Sequence, residues 1–145
     1  MRKSQSLATT QIDMKIPILF LDHVTKNNRI YPRDVMEKAI AKYKKEFVDE
    51  NRAFIQKQLP GDSCVNLRDC VGVVKEIKIE GDTVFVEAEF LPTLKDASLI
   101  EEGIKSGKLH LRTHGIGSMR LQPDGTQKVA DDYEFISCFA TDNPA

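Results

Sequence analysis

Three histidines occur in the chain, His23, His110 and His114, and two of them bracket Arg112 and Thr113 in the run KLHLRTHGIGSM, residues 108–119. An imidazole beside a hydroxyl is the pairing that nucleophilic hydrolysis needs. The hydroxyl attacks a carbonyl carbon, and a ring nitrogen within hydrogen-bond reach takes its proton. The alternation of a strand works against that pairing here: His110, Arg112 and His114 project to one face and Thr113 to the other. Neither histidine reaches the Thr113 hydroxyl unless a bulge intervenes, and Gly115 or Gly117 can supply one. Ser118, closing the Gly-x-Gly-Ser turn, fits a backbone or turn hydrogen bond.

Other chemistry is poorly supplied. His110 and His114 stand four residues apart on a strand, about 13 Å at 3.3 Å per residue, too far to share one tetrahedral metal ion. No metal or cofactor is expected. His23 has only adjacent Asp22 as an acidic neighbour in sequence and reads as a surface or capping histidine. Cys64, Cys70 and Cys138 are odd in number and lack CxxC spacing, so they read as free thiols in a reducing compartment. Arg112 is permanently charged and, between two histidines, suits a carboxylate or the acidic residue of a neighbouring subunit. A solvated polar strand face is the plain alternative.

The elements that must position these residues follow from periodicity. Val35, Met36, Ala39, Ile40, Tyr43 and Phe47 fall on one stripe at helical spacing and predict a helix from Arg33 to about Asp49, with Pro32 in its first turn. VGVVKEIKI and TVFVEAEFL, joined by Glu80-Gly81-Asp82, predict a hairpin in which Val84, Val86, Ala88 and Phe90 share the buried face. PTLKDASLIEEGIKSGK predicts a shorter helix capped by Thr93, with Leu99, Ile100 and Ile104 apolar and Gly107 as its stop. KIPILFLDHV, KLHLRTHGIGSM and YEFISCFATD predict further strands, Asn27-Asn28, Pro60-Gly61-Asp62 and Pro123-Asp124-Gly125 predict turns, and residues 50–70 are less regular. The order is that of an α+β fold, a small, mostly antiparallel β-barrel or strongly curled sheet flanked by two main helices. Residues 1–13 read as a flexible N-terminal arm and 14–145 as one domain.

With 41% hydrophobic and 30% charged residues the sequence reads as a soluble globular chain. Its longest apolar run, IPILFL, is far short of the ~20 residues that span a bilayer, and the polar N-terminus lacks a secretory apolar core. A net charge of −1 gives no long-range field for a polyanion, so neither nucleic acid nor membrane is an expected partner. Lys38, Lys42, Lys44 and Lys45 sit with Glu37, Glu46, Asp49 and Glu50 and read as a solvated helix face.

Two segments resemble a known family. NNRIYPRDVMEKAIAKYKKEF is similar to the N-R-x-Y-P-plus-helix entry of the tailed-phage prohead core proteases, whose fold is related to herpesvirus assemblin. IKSGKLHLRTHGIGSM resembles that family's G-V-S-S-R-G-L-G-S signature. The hairpin and FATDNPA take the corresponding places, so the resemblance covers about residues 24–145. It implies serine proteolysis, with a histidine in a G-E-L-x-H-P segment as base. Matched onto IQKQLP and anchored on Pro60, that histidine's place falls on Leu59. The nucleophile's place falls on Arg112, the second serine's on Thr113 and the following arginine's on His114, while Gly115, Gly117 and Ser118 match unchanged.

An aliphatic side chain cannot take a proton, and a guanidinium can be neither nucleophile nor base. The resemblance therefore favours a non-catalytic prohead-protease-like protein. It would act in a phage as a virion structural or particle-assembly component through protein–protein contacts. Its expected partners are capsid, scaffold or neck and tail proteins in an oligomeric assembly, and its place is the virion and, during assembly, the host cytoplasm. Two other readings stay open: an active serine- or threonine-type maturation protease that uses Thr113 with His110 or His114, and a phage regulator that binds a host protein.

Overall fold

The computed structural model describes residues 14–59 and 65–142. The expected arm at 1–13, the turn at Pro60-Gly61-Asp62 and Cys64 lie outside the described residues. In chain order the elements are β1 (Met14–Phe20), β2 (Arg29–Ile30), α1 (Arg33–Tyr43), β3 (Phe54–Gln56), β4 (Cys70–Glu80), β5 (Thr83–Phe90), α2 (Ala97–Lys105), β6 (His110–Ile116), β7 (Met119–Leu121), β8 (Gln127–Val129) and β9 (Glu134–Thr141). None of the described helices is long and apolar enough to cross a membrane.

The β4–β5 hairpin is the backbone of the fold. Gly81 takes a positive φ of 64° in its turn, and Val84, Val86, Ala88 and Phe90 are all buried while the residues between them are half-exposed. On either side the sheet extends in the order β1-β5-β4-β3-β9-β6. Pairing is antiparallel except between β3 and β9, which run parallel. The sheet curls until β6 comes back close to β1 without pairing to it. The expected barrel is thus realised as an open, strongly curled sheet. Pro17 lacks an N–H and lies in the edge strand β1, where the register slips between Pro17 and Leu19 and both Ile18 and Leu19 turn inward.

Helix α1 closes one face of this curl through Val35, Met36, Ala39, Ile40 and Tyr43, each large apolar side chain contributing about 1.5–3 kcal/mol of burial. The predicted stripe is there, but the α-geometry stops at Tyr43. Residues Lys44–Val48 form a wider π-type turn, in which the Asp49 N–H donates to the Lys44 carbonyl. The widened turn lays Phe47 on Tyr43, with ring centroids 5.4 Å apart. Pro32 stands just before the first helical residue, at φ −66° and ψ 144°, rather than inside the first turn.

Other expectations are corrected. Thr93 does not cap α2. The cap position is Asp96, in the left-handed region at φ 68°, and its carboxylate accepts from the Lys57 ammonium at 2.9 Å instead of capping the helix. Leu99 is 68% exposed, and Ala97 and Ile100 are the buried residues of α2. His23 has an acidic partner distant in sequence: its Nε2 lies 2.6 Å from Asp82 Oδ2, and this contact, as a hydrogen bond, holds the Asp82 carboxyl below its ordinary range. The less regular stretch contains β3, and β2, β8 and β7 form a separate three-stranded sheet.

Two lysines of the α1 region reach across to strands rather than along the helix: Lys42 to Glu134 and Lys44 to Glu76, each at 2.7 Å. The hydrogen bond from Lys44 holds the Glu76 carboxyl below its ordinary value. A depressed folded-state pKa stabilises above the unfolded value and is lost as pH falls through the folded one. Urea midpoints of Glu76→Gln are therefore expected to lie below wild type at neutral pH and to converge with it under acid conditions. A gap that persists unchanged into acid would contradict the ion pair.

Candidate functional site

β6 ends against the loop that leads into β9, and glycine makes the crossing possible. A Cβ on Gly115 would collide with the Tyr133 hydroxyl, and one on Gly117 would lie 2.7 Å from the Tyr133 Cα. The register with β9 slips between His114 and Gly115, so the bulge allowed by the sequence is present. Ser118 secures the turn: its N–H and hydroxyl donate to the two Asp132 carboxylate oxygens at 2.8 and 2.6 Å. Those bonds hold the Asp132 carboxyl below its ordinary range.

Beside this crossing lies a cleft of about 650 Å³. The consecutive residues Arg112, Thr113 and His114 all line it, although their register with β9 is unbroken and slips only after His114. Leu59, 58% exposed, lies on the same cleft. The two positions onto which the resemblance maps a base and a nucleophile, Leu59 and Arg112, therefore share one cavity although they are distant in sequence. His110 pairs with Thr141 at the other end of β6 and is not part of the lining.

The Thr113 hydroxyl and the His114 imidazole are engaged. Thr113 hydrogen-bonds the Tyr133 phenol, whose pKa is driven up chiefly by burial. His114 is buried, and its Nδ1 lies 3.1 Å from Ser137 Oγ on β9. Ser137 also accepts from Gln56 Nε2 at 3.1 Å, and Gln56 Oε1 accepts the Asn66 N–H at 2.7 Å. A polar chain thus runs from β3 through β9 to β6, in which Gln56 and Ser137 are both 0% exposed. The Ser137–His114 contact has the distance of a catalytic dyad but not its access. A nucleophile must meet a substrate carbonyl carbon, and Ser137 presents no surface to one. The chain satisfies buried polar groups of a curled sheet, as such groups require.

The sequence pattern marks β6 and its glycine turn, but it sets Thr113 on the face opposite Arg112 and His114, although all three line the cleft. It missed Ser137, Gln56, Tyr133 and Arg29, which reach the site through pairings between distant segments. Cys70 and Cys138 are free and buried. Burial pushes the Cys138 thiol up to about 12, so peptide mapping after brief exposure to a thiol reagent is expected to find Cys138 unlabelled in the native protein and labelled in denaturant. Fast native labelling would contradict the packing of β9. Among the described residues no group of three His, Cys, Asp or Glu side chains converges on a common point as a metal site would require.

Comparison with known proteins bears on this arrangement. The model of a family described as prohead core protein serine protease matches residues 9–142. The structure of the bacteriophage T4 capsid assembly protease gp21 superimposes with a TM-score of 0.78 at 19% identity, over 88% of this chain and 80% of that one. No curated protein matches the chain.

Proposed function

Because the chain belongs to the prohead core protein serine protease family, we propose that it serves phage capsid assembly as a non-catalytic member, through contacts with capsid or scaffold proteins. The observation that carries this reading is the occupancy of one cleft by Leu59 and Arg112. At the places where the family's signatures put imidazole and hydroxyl, this chain has a group without proton chemistry and a permanent cation. Losing either member of a Ser–His unit removes most of its rate advantage. The remaining hydroxyls of the cleft do not restore one, since Thr113 is engaged by Tyr133 and Ser118 by Asp132.

A specific observation favours the alternative, an active maturation protease: the 3.1 Å contact of Ser137 with His114. For that pair to act, β9 must expose an oxygen that is fully enclosed and already bonded to Gln56. The two readings differ in what survives assembly. Quantitative mass spectrometry of purified particles is expected to find this chain intact and in fixed ratio to the capsid protein. Finding it absent, or cut at defined sites, would overturn the structural role.

A further inference from the structure

The small sheet of β2, β8 and β7 carries a second arrangement on the face turned away from the cleft. Val24 bridges to Ile30, Ile30 pairs with Lys128, and Lys128 pairs with Arg120. Residues directly opposite each other point to the same side of a sheet, so these four side chains form one row across the strands. Arg29, Val129 and Met119, which line the cleft, are each one position out of phase with that row and face the other way. The row has two unlike ends. At one, Lys128 and Arg120 are both exposed and stand opposite each other, a like-charge pairing that costs stability. Neither has an acidic partner among the described residues. Asp124, the acid of the turn that joins their strands, is held by the Thr126 N–H and hydroxyl. At the other end Val24 is 55% and Phe20 45% exposed, and they line a hollow of about 400 Å³ with His23 and Asp82, which are bonded to each other.

We infer that this row is a docking surface for an acidic amphipathic helix of a partner protein, which sets a carboxylate over Lys128 and Arg120 and an apolar side chain against Val24 and Phe20. Two adjacent cations without an acid are complementary to a negative group placed between them, and the exposed apolar end is complementary to a side chain that covers it. The spacing fits a helix. Strands lie about 4.8 Å apart, so the midpoint of the cation pair is about 12 Å from Val24, and helical residues seven or eight apart on one face span about 10–12 Å. An extended segment laid across the row would leave its backbone groups unpaired on the face of the sheet, whereas a helix satisfies its own. A polyanion matches the cations but has nothing for the apolar end. Because the row lies on the other side of the sheet, it serves in the same way whether or not the cleft cuts.

The experiment pans the full chain against a displayed three-helix scaffold in which the outward positions of one helix are randomised. The library is first depleted on the Arg120→Glu, Lys128→Glu double variant, and surviving binders are measured by biolayer interferometry. Selected helices are expected to carry Glu or Asp with Leu, Ile or Phe seven or eight positions away. Replacing that acid by Lys should weaken binding to the wild type at least about tenfold and restore binding to the charge-reversed variant. Val24→Ser should also weaken binding, whereas Lys38→Glu, the same charge reversal at an exposed position of α1, should leave it unchanged. Arg120→Gln and Lys128→Gln should each weaken binding with a melting temperature equal to or above that of the wild type, since each relieves the opposed charges. No binder surviving depletion, binders without acids, equal affinity for the wild type and the charge-reversed variant, or tighter binding of a 12-nucleotide RNA would overturn the inference.

Discussion

Tyr43→Ala is expected to lower the unfolding free energy by about 4 kcal/mol, while Tyr43→Phe leaves it unchanged or raises it. The ring is 1% exposed and lies face to face with Phe135, centroids 4.1 Å apart at 13° between planes, with Phe47 on its other neighbourly contact. Removing it opens a cavity between α1 and β9 that three aromatic rings now fill, which is why the loss belongs at the upper end for core truncations. The hydroxyl contributes nothing comparable. It is buried without a hydrogen-bond partner among the described residues, and burial drives its pKa well upward. Phenylalanine keeps the ring and removes the desolvated oxygen. Denaturant titration of both variants checks the pair, and a Tyr43→Phe loss above about 1 kcal/mol would mean that the oxygen has a partner worth that much. The consequence reaches the cleft, because Phe135 stands two positions before Ser137 on β9.

The second large effect is expected at Gln56. Gln56→Leu preserves approximate volume but leaves Ser137 with one bond fewer and the Asn66 N–H without its acceptor. A cost of about 3 kcal/mol follows from orphaning groups that packing shields from water. Ser137→Ala should cost a comparable amount, about 2–3 kcal/mol, because it takes from the buried Gln56 amide and from His114 Nδ1 the oxygen that both meet. The double variant should be less destabilised than the sum of the two, since much of the Gln56→Leu penalty is the stranded serine. Strict additivity would show that the polar chain is not a unit. The result also separates two roles for Ser137. A structural serine shows itself in stability, whereas a nucleophile shows itself in turnover.

Local pattern made part of this fold legible. The stripe from Val35 to Tyr43 and the alternation from Val84 to Phe90 each need only neighbours in sequence, and both are found where the periodicity puts them. What pattern could not supply is pairing at a distance. β3 is three residues long and lies parallel to a strand about 80 positions later, so nothing in FIQ marks it as central to the sheet. The same pairing brings Gln56 to Ser137, and neither residue has a local signature. The α1 stripe predicts a helix through Phe47, but the π-type turn inserts a residue that periodicity alone does not register. At the site, strict alternation predicts Thr113 on the opposite face from Arg112. Both nevertheless line one cleft, at the end of the strand where the register slips just after His114.

The family assignment and the shared fold place the chain beside proteases, so the central claim turns on whether the cleft cuts. The direct measurement is incubation of the purified chain with the phage's own scaffold and capsid precursors, followed by intact-mass analysis of every component. The account predicts unchanged masses over the time in which an active relative completes processing. New termini that disappear in Ser137→Ala or Thr113→Ala, in variants that remain folded at the assay temperature, would contradict it.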